Sequence, residues 1–273
     1  MEREDRLTAL RWLAQGHRAV LVQQVEVRGS SPRESGARML VNEQTCIGTI
    51  GGGHLELKAI AVAREMLRSG EMHAHLERFA LGPSLGQCCG GHVTLRWSVL
   101  DQAAIDAWPE PEPLFRLQLH GAGHVGRAIA RLLATLDVRV DWIDEREAEF
   151  PDSLGDSHWP SHIVRRSSPR AEDEVRDAPP DSCYLVLTHS HDLDLRICEA
   201  VLRRGDFRHL GLVGSKSKSE RFLRRLEARG IPEHNLLRVT CPIGIPGIQG
   251  KQPELIAVSV VAQLLALGHV PSH

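Results

Sequence analysis

With 273 residues, 42% hydrophobic and 25% charged content and a formal net charge of -2, the chain has room for two ordinary domains and offers no electrostatic footing for nucleic acid. No apolar run reaches the roughly 18 residues of a membrane span, and the charged start Met1 to Asp5 has no signal-like stretch behind it, so a cytoplasmic protein without membrane contact is expected. The six cysteines, at 46, 88, 89, 183, 198 and 241, lack the CxxC spacing of a zinc site, and reduced thiols rather than a disulfide scaffold are expected.

In chain order, the apolar rhythm of Leu7, Leu10, Trp12 and Leu13 predicts a helix over 6–15, and Gly16 interrupts it. Valine-rich Ala19 to Val27 reads as a strand, followed by a loop at Gly29 to Arg33 and strands at Ala37 to Val41 and Cys46 to Ile50. Gly51-Gly52-Gly53 turns the chain into a helical pattern from Leu55 to Ser69. Leu76 to Phe79, a second glycine-rich loop from Leu81 to Gly91 and the alternating strand His92 to Val99 complete a small α+β or α/β domain over 1–100. The prolines of Asp101 to Pro113 withdraw backbone donors, so 101–113 reads as a linker.

From 114 to 273 the pattern alternates: strand Phe115 to Leu119, helix Val125 to Leu136, strand Arg139 to Ile143, a polar connection to about Pro180, strand Cys183 to Thr188 and helix Leu193 to Arg204. A strand at His209 to Val213, a helix at Lys218 to Arg229 and an apolar helix at Glu254 to Leu267 follow. Such alternation predicts a parallel sheet with covering helices, an α/β class.

Gly121-Ala122-Gly123-His124-Val125-Gly126 fits GxGxxG between an apolar strand and a helix, the context of a Rossmann-like phosphate turn. Gly121 permits the tight turn, Gly123 lets a phosphate approach the backbone, Gly126 lets helix and strand pack, and Asp144 is placed to accept a ribose hydroxyl. The same glycines also serve simple close packing, and the only tyrosine, Tyr184, has no lysine four residues on, so a Tyr-Lys hydride machine is absent. Gly51-Gly52-Gly53-His54-Leu55-Glu56 is a second strand-to-helix turn able to hold an anion, or a plain flexible turn. In Gly82 to Gly91 the adjacent Cys88 and Cys89 are flanked by glycines; as thiolates they suit a soft metal or persulfide chemistry, as thiols they are small buried hydrophobes.

His189, His191, Asp192 and Asp194 follow a strand end and offer ligands to a divalent ion, with Asp192 capping the next helix as the plainer reading. Gly214 to Lys218 presents charge, hydroxyls and N–H groups to a phosphate, or a solvated turn and cap. Cys241 before Pro242 reads as a third reactive thiol or, more plainly, as a structural cysteine ending a strand, and the five tryptophans as packing.

Taken together, GSSPRESGARML (29 to 40), GTIGGGHLE (48 to 56), LGPSLGQCCGGHV (81 to 93), GAGHVG (121 to 126), THSHDLDL (188 to 195), GLVGSKSK (211 to 218) and CPIGIPGIQGKQPELIAVSVVAQLL (241 to 265) closely resemble the XdhC/CoxI family across nearly the whole chain. The resemblance implies an accessory protein, not an enzyme: a chaperone that binds the molybdopterin-type molybdenum cofactor, supports exchange of a molybdenum oxo ligand for sulfido and delivers the cofactor to xanthine dehydrogenase, with a cysteine desulfurase as a further partner. By the family motifs the cofactor-binding candidates are Gly51, Gly52, Gly53, Glu56, Gln87, Cys88, Cys89, Gly90, Gly121, Gly123, Gly126 and Asp144. Cys88 and Cys89 are the choice for the molybdenum or its sulfur, with Gln87 as hydrogen-bond partner. Pro246-Gly247-Ile248-Gln249 before Gly250-Lys251 departs from the shorter glycine pair of many relatives. An NAD(P)-dependent oxidoreductase using the GxGxxG turn is the competing reading, a bridging scaffold a third, and a homodimer is the commonest oligomer to expect.

Overall fold

The structure, a computed structural model, describes residues 2–71, 73–81, 91–109, 112–248 and 250–267. It divides into two units, Met1–Pro111 and Glu112–His273.

The first unit is antiparallel, which resolves the open choice in favour of α+β. Strands β1 (Val20–Arg28), β2 (Arg38–Val41), β3 (Cys46–Gly48), β4 (His75–Ala80) and β5 (His92–Val99) form one sheet in the order β3-β2-β1-β5-β4. Alternation along β1 decides what covers each face. Val20 and Val22 join Met39, Leu95 and Trp97 under helix α2 (Gly53–Ser69), where the Trp97 indole donates to the Ala59 carbonyl at 3.0 Å. Leu21 and Leu40 turn the other way, toward Trp12 of α1 (Glu2–Ala14) and Ile105 of α3 (Gln102–Asp106).

Helix α3 lies inside the 101–113 stretch expected to be a linker. Asp101 caps it by accepting the Ala104 N–H at 2.7 Å, and Trp108, 2% exposed, closes the same core, so the chain leaves the first unit only after that residue. The dense prolines at 109, 111 and 113 blurred a short capped helix that lies just before them.

The second unit is a six-stranded parallel sheet of β6 (Arg116–His120), β7 (Arg139–Asp144), β8 (Ile163–Ser167), β9 (Cys183–Val186), β10 (His209–Leu212) and β11 (Val239–Thr240). Its order, β8-β7-β6-β9-β10-β11, reverses direction between β6 and β9, as in a doubly wound Rossmann sheet. One face carries Leu117, Leu119, Val140 and Leu185 under α4 (His124–Leu133) and α8 (Pro253–Ala266). The other carries Tyr184, Val186, Leu210 and Leu212 under α5 (His191–Arg204) and α6 (Lys216–Ala228). Strands buried on both sides explain the nearly unbroken apolar runs.

In the second unit two strands and one α-helix escaped the sequence reading: β8 inside the polar connection, the short helix α7 (Glu233–Leu236), and β11. β8 is an edge strand with exposed Val164, Arg165 and Arg166, so it lacks the apolar alternation of a half-buried strand. β11 has only two residues.

Candidate functional site at the glycine turns

Six parallel strands present their carboxyl ends along one edge, and the turn after β6 lies beside the reversal point. The Gly121 N–H donates to the Ile143 carbonyl at 2.8 Å, and the Trp142 indole donates to the Gly121 carbonyl at 3.0 Å. Gly121 has φ 122°, and a Cβ there would lie 2.4 Å from the Leu187 carbonyl oxygen. At Gly126 a Cβ would lie 2.1 Å from the Gly121 oxygen. The fold itself therefore demands the first and third glycines.

Gly123 is different. Its backbone is ordinary, φ -70° and ψ -172°, and nothing lies within 4 Å of where a Cβ would be. Among the described glycines it alone combines a negative φ with open space. As the N-cap of α4 it offers no side-chain acceptor to the first-turn N–H groups, which point with the helix dipole at whatever occupies that space.

Asp144 does not stand free as a ribose acceptor. Its carboxylate, 4% exposed, accepts the Ala122 N–H at 2.7 Å, the Arg146 N–H at 3.0 Å and the Arg146 guanidinium at 3.0 and 3.1 Å. Burial would raise its pKa, but these hydrogen bonds from Arg146 and Ala122 outweigh it and hold the carboxyl below the usual range. Asp144 thus braces the turn from the neighbouring strand. Arg146 and Arg127 both reach Glu149, which ties the start of α4 to the segment after β7.

The 189–194 cluster does not converge on a metal site. Asp194 is fully buried and accepts from the Thr188 N–H at 2.9 Å, the Thr188 hydroxyl at 2.7 Å and Lys218 Nζ at 2.8 Å. His189 faces Glu145, His191 lies edge-on to Phe222, and Asp192 pairs with Arg225. Among the described residues no three His, Cys, Asp or Glu side chains are placed to hold a metal ion. Ser190, not Asp192, caps α5. Lys218 also donates to the Val213 carbonyl, and Ser215 caps α6, so the 214–218 run is a structural tie and a cap. His120, at the end of β6, is buried and its pKa is pushed down to about 3 by desolvation, so it stays neutral.

In the first unit Gly51, Gly52 and Gly53 all have positive φ, of 123°, 78° and 66°. Glu56 supports this turn: one carboxylate oxygen accepts from the Thr49 hydroxyl at 2.7 Å, the Gly52 N–H at 3.0 Å and the Ile50 N–H at 3.3 Å. The side chain assigned to ligand is therefore engaged in shaping the loop. Pro32 packs against Gly51, and Gly29 against Gly91, so the 29–33 loop touches both the triple-glycine turn and the foot of the 82–90 segment. The Leu81 N–H donates to the Gly91 carbonyl at 2.7 Å and closes that foot. Gln87, Cys88, Cys89 and Gly90 lie outside the described residues. Burial raises the pKa of each described cysteine, Cys46 to about 11 and Cys183 to about 12, with Cys198 and Cys241 moved in the same direction, which disfavours their thiolates.

Residues 117–264 match the family description "XdhC Rossmann domain", and residues 12–80 match "XdhC and CoxI family". The chain belongs to the XdhC and CoxI family. Its similarity to "Molybdenum cofactor insertion chaperone PaoD" of Escherichia coli is 26% identity, covering 97% of this chain and 89% of that protein. "Uncharacterized protein YqeB" of the same organism is 32% identical over 90% of this chain, and a "Probable xanthine dehydrogenase" subunit from Bacillus subtilis is 30% identical over 57% of it. The chain spans only 42% and 43% of the length of these last two relatives. A crystal structure described as a xanthine dehydrogenase from Bacillus halodurans shares the fold, with TM-score 0.75 over 97% of this chain and 95% of that one, at 21% identity.

The family assignment stands on the motifs, but sequence reasoning missed the three acidic braces Glu56, Asp144 and Asp194. Glu56 and Asp194 follow a glycine- or threonine-bearing turn and Asp144 ends a strand, and only the partner distances distinguish a brace from a free acceptor.

Proposed function

We propose that the chain carries a molybdopterin-type molybdenum cofactor as cargo, supports exchange of a molybdenum oxo ligand for sulfido, and hands the cofactor to a xanthine-dehydrogenase-type hydroxylase. In this reading it is an accessory protein, not an enzyme. The observation that carries the proposal is Gly123, a glycine that neither the backbone nor the neighbours require, at an uncapped helix N-terminus suited to a phosphate. Kinship to a protein named as a molybdenum cofactor insertion chaperone, over most of both chains, supports the choice of cargo. The NAD(P) oxidoreductase reading loses its ribose acceptor, because Asp144 is already filled by Ala122 and Arg146.

When bound, the cargo supplies a molybdenum centre able to exchange an oxo for a sulfido ligand. This chain's part is to hold. The first-turn N–H groups of α4 would hold the phosphate, with Asp144 fixing the turn that aims them; within the first unit, the turn Gly51 to Gly53, shaped by Glu56, is proposed as an anion-binding turn in its own right. Cys88 and Cys89, with Gln87 donating a hydrogen bond and Gly90 leaving access, are proposed to face the metal or its sulfur, and a cysteine desulfurase to supply that sulfur.

The test is to purify the protein from cells that make the cofactor, oxidise it with acid and measure released pterin fluorescence. Near-stoichiometric pterin, reduced when Cys88 and Cys89 are replaced by serine, is expected. No pterin, together with steady NAD(P)H turnover, would overturn the reading.

A further inference from the structure

The carboxyl edge of the parallel sheet carries a second concave feature, well away from the GxGxxG motif in sequence. Val213 after β10, Ile243 after β11, Leu255 and Ile256 in the first turn of α8, and Ile248 and Lys251 between them line a cavity of about 400 Å³. That volume suits a small-molecule ligand. Lys251 is the only charged side chain in the lining among the described residues.

The walls are built. The Ser259 hydroxyl accepts the Ile245 N–H at 2.8 Å, and the Gln263 side chain both accepts the Gly244 N–H at 2.9 Å and donates to its carbonyl at 3.3 Å. Gly211 in β10 lets Ile243 press onto the sheet, since a Cβ there would lie 2.8 Å from the isoleucine methyl. Yet the mouth stays apolar and wet: Ile248 is 41% exposed and Leu255 39%. Other concave places are lined differently, for example by Glu172, Asp173, Arg176 and Arg204, as expected of ordinary solvated surface.

The position fixes a length. Neighbouring strands lie roughly 4.8 Å apart, and β9 separates β6 from β10, so the Gly123 turn and this cavity lie about 10–14 Å apart along one edge. A ligand with an anionic tail and a flat ring can reach both, crossing the end of β9 at the reversal point where open sheets bind ligands.

We propose that this cavity is the ring subsite of the second unit: it takes a fused, carbonyl-bearing heterocycle between Ile243, Ile248 and Leu255, with Lys251 donating to the ring's oxygen edge, while the ligand's phosphate lies on Gly123. The assignment rests on the reading of the chain as a carrier of a phosphate-bearing pterin, and it places the ring in this unit.

Pterin-6-carboxylate, a fluorescent ring without phosphate, is the probe. Titrated into the full chain it should bind saturably, and Leu255→Glu and Lys251→Ala should each weaken it at least tenfold. Leu255 and Lys251 are at the surface, and matching circular dichroism and melting curves establish that the variants fold. Absence of saturable binding to the unaltered chain, or equal affinity in folded Leu255→Glu and Lys251→Ala, overturns the proposal. Cofactor copurifying undiminished with Leu255→Glu would overturn the ring subsite while leaving the carrier reading intact. Pterin-6-carboxylate binding that needs Lys251, in a protein that never copurifies with cofactor, would uphold the subsite and sink the carrier reading.

Discussion

Two turns in this molecule join a strand to a helix through glycines and lean on a nearby carboxylate, yet they use glycine for different reasons. In the first unit Gly51, Gly52 and Gly53 all have left-handed or otherwise positive φ, and Glu56 holds them from the helix that they begin. In the second unit's GxGxxG turn only Gly121 has positive φ, Asp144 holds the turn from the adjacent strand, and Gly123 is conformationally unremarkable. The contrast separates glycine required by the chain from glycine that leaves room for something else. Motif matching alone treats both kinds alike.

Substitutions put this contrast to experiment. The largest effect is expected at Gly126→Val, whose side chain would collide with the Gly121 carbonyl; a loss beyond about 3 kcal/mol should abolish the cooperative melting of the second unit. Asp144→Asn should cost about 2 kcal/mol near neutral pH by weakening charge-assisted bonds to Ala122 and Arg146. Because the folded pKa lies below the unfolded one, the contribution is present above about pH 4 and is lost as pH falls through the folded value. Urea midpoints of the two proteins should therefore converge in acid, and a constant gap would contradict the brace. Gly52→Ala faces open space but φ 78°, so a smaller loss of about 1 kcal/mol is expected by thermal denaturation. Gly123→Val should move stability by no more than about 0.5 kcal/mol while lowering copurified cofactor at least tenfold. A destabilised Gly123→Val, or one that retains its cofactor, would erase the distinction between the two turns.

Much of the architecture was readable because strands buried on both faces, such as Cys183–Val186, leave unmistakable apolar runs between helical patterns. The limits of β5 were read as they stand. Edge strand β8 was invisible because solvent-facing Arg165 and Arg166 carry no burial signal. At the site, glycine spacing disclosed the turn but not the use of Asp144: a carboxylate at the end of a second strand has the same sequence signature whether it meets a ribose or the Ala122 N–H. The cavity beside Lys251 was beyond sequence reasoning for another reason, since its walls come from positions 213 to 259 and meet only when β10, β11 and α8 are assembled.

The near contact between Gly121 and Leu187 also has a bearing on when the site comes into being. Leu187 follows β9, so the wall behind the turn is supplied by a segment more than sixty residues downstream, and β6 can pair with β9 only after β7 and β8 have been accommodated on its other side or left waiting. No ligand can find a finished turn at Gly121 to Gly126 until that long-range closure has happened. By mass action, a ligand that binds only the closed form draws the closing equilibrium toward itself, so any ligand of this turn would help set how much of the protein is held in its mature fold.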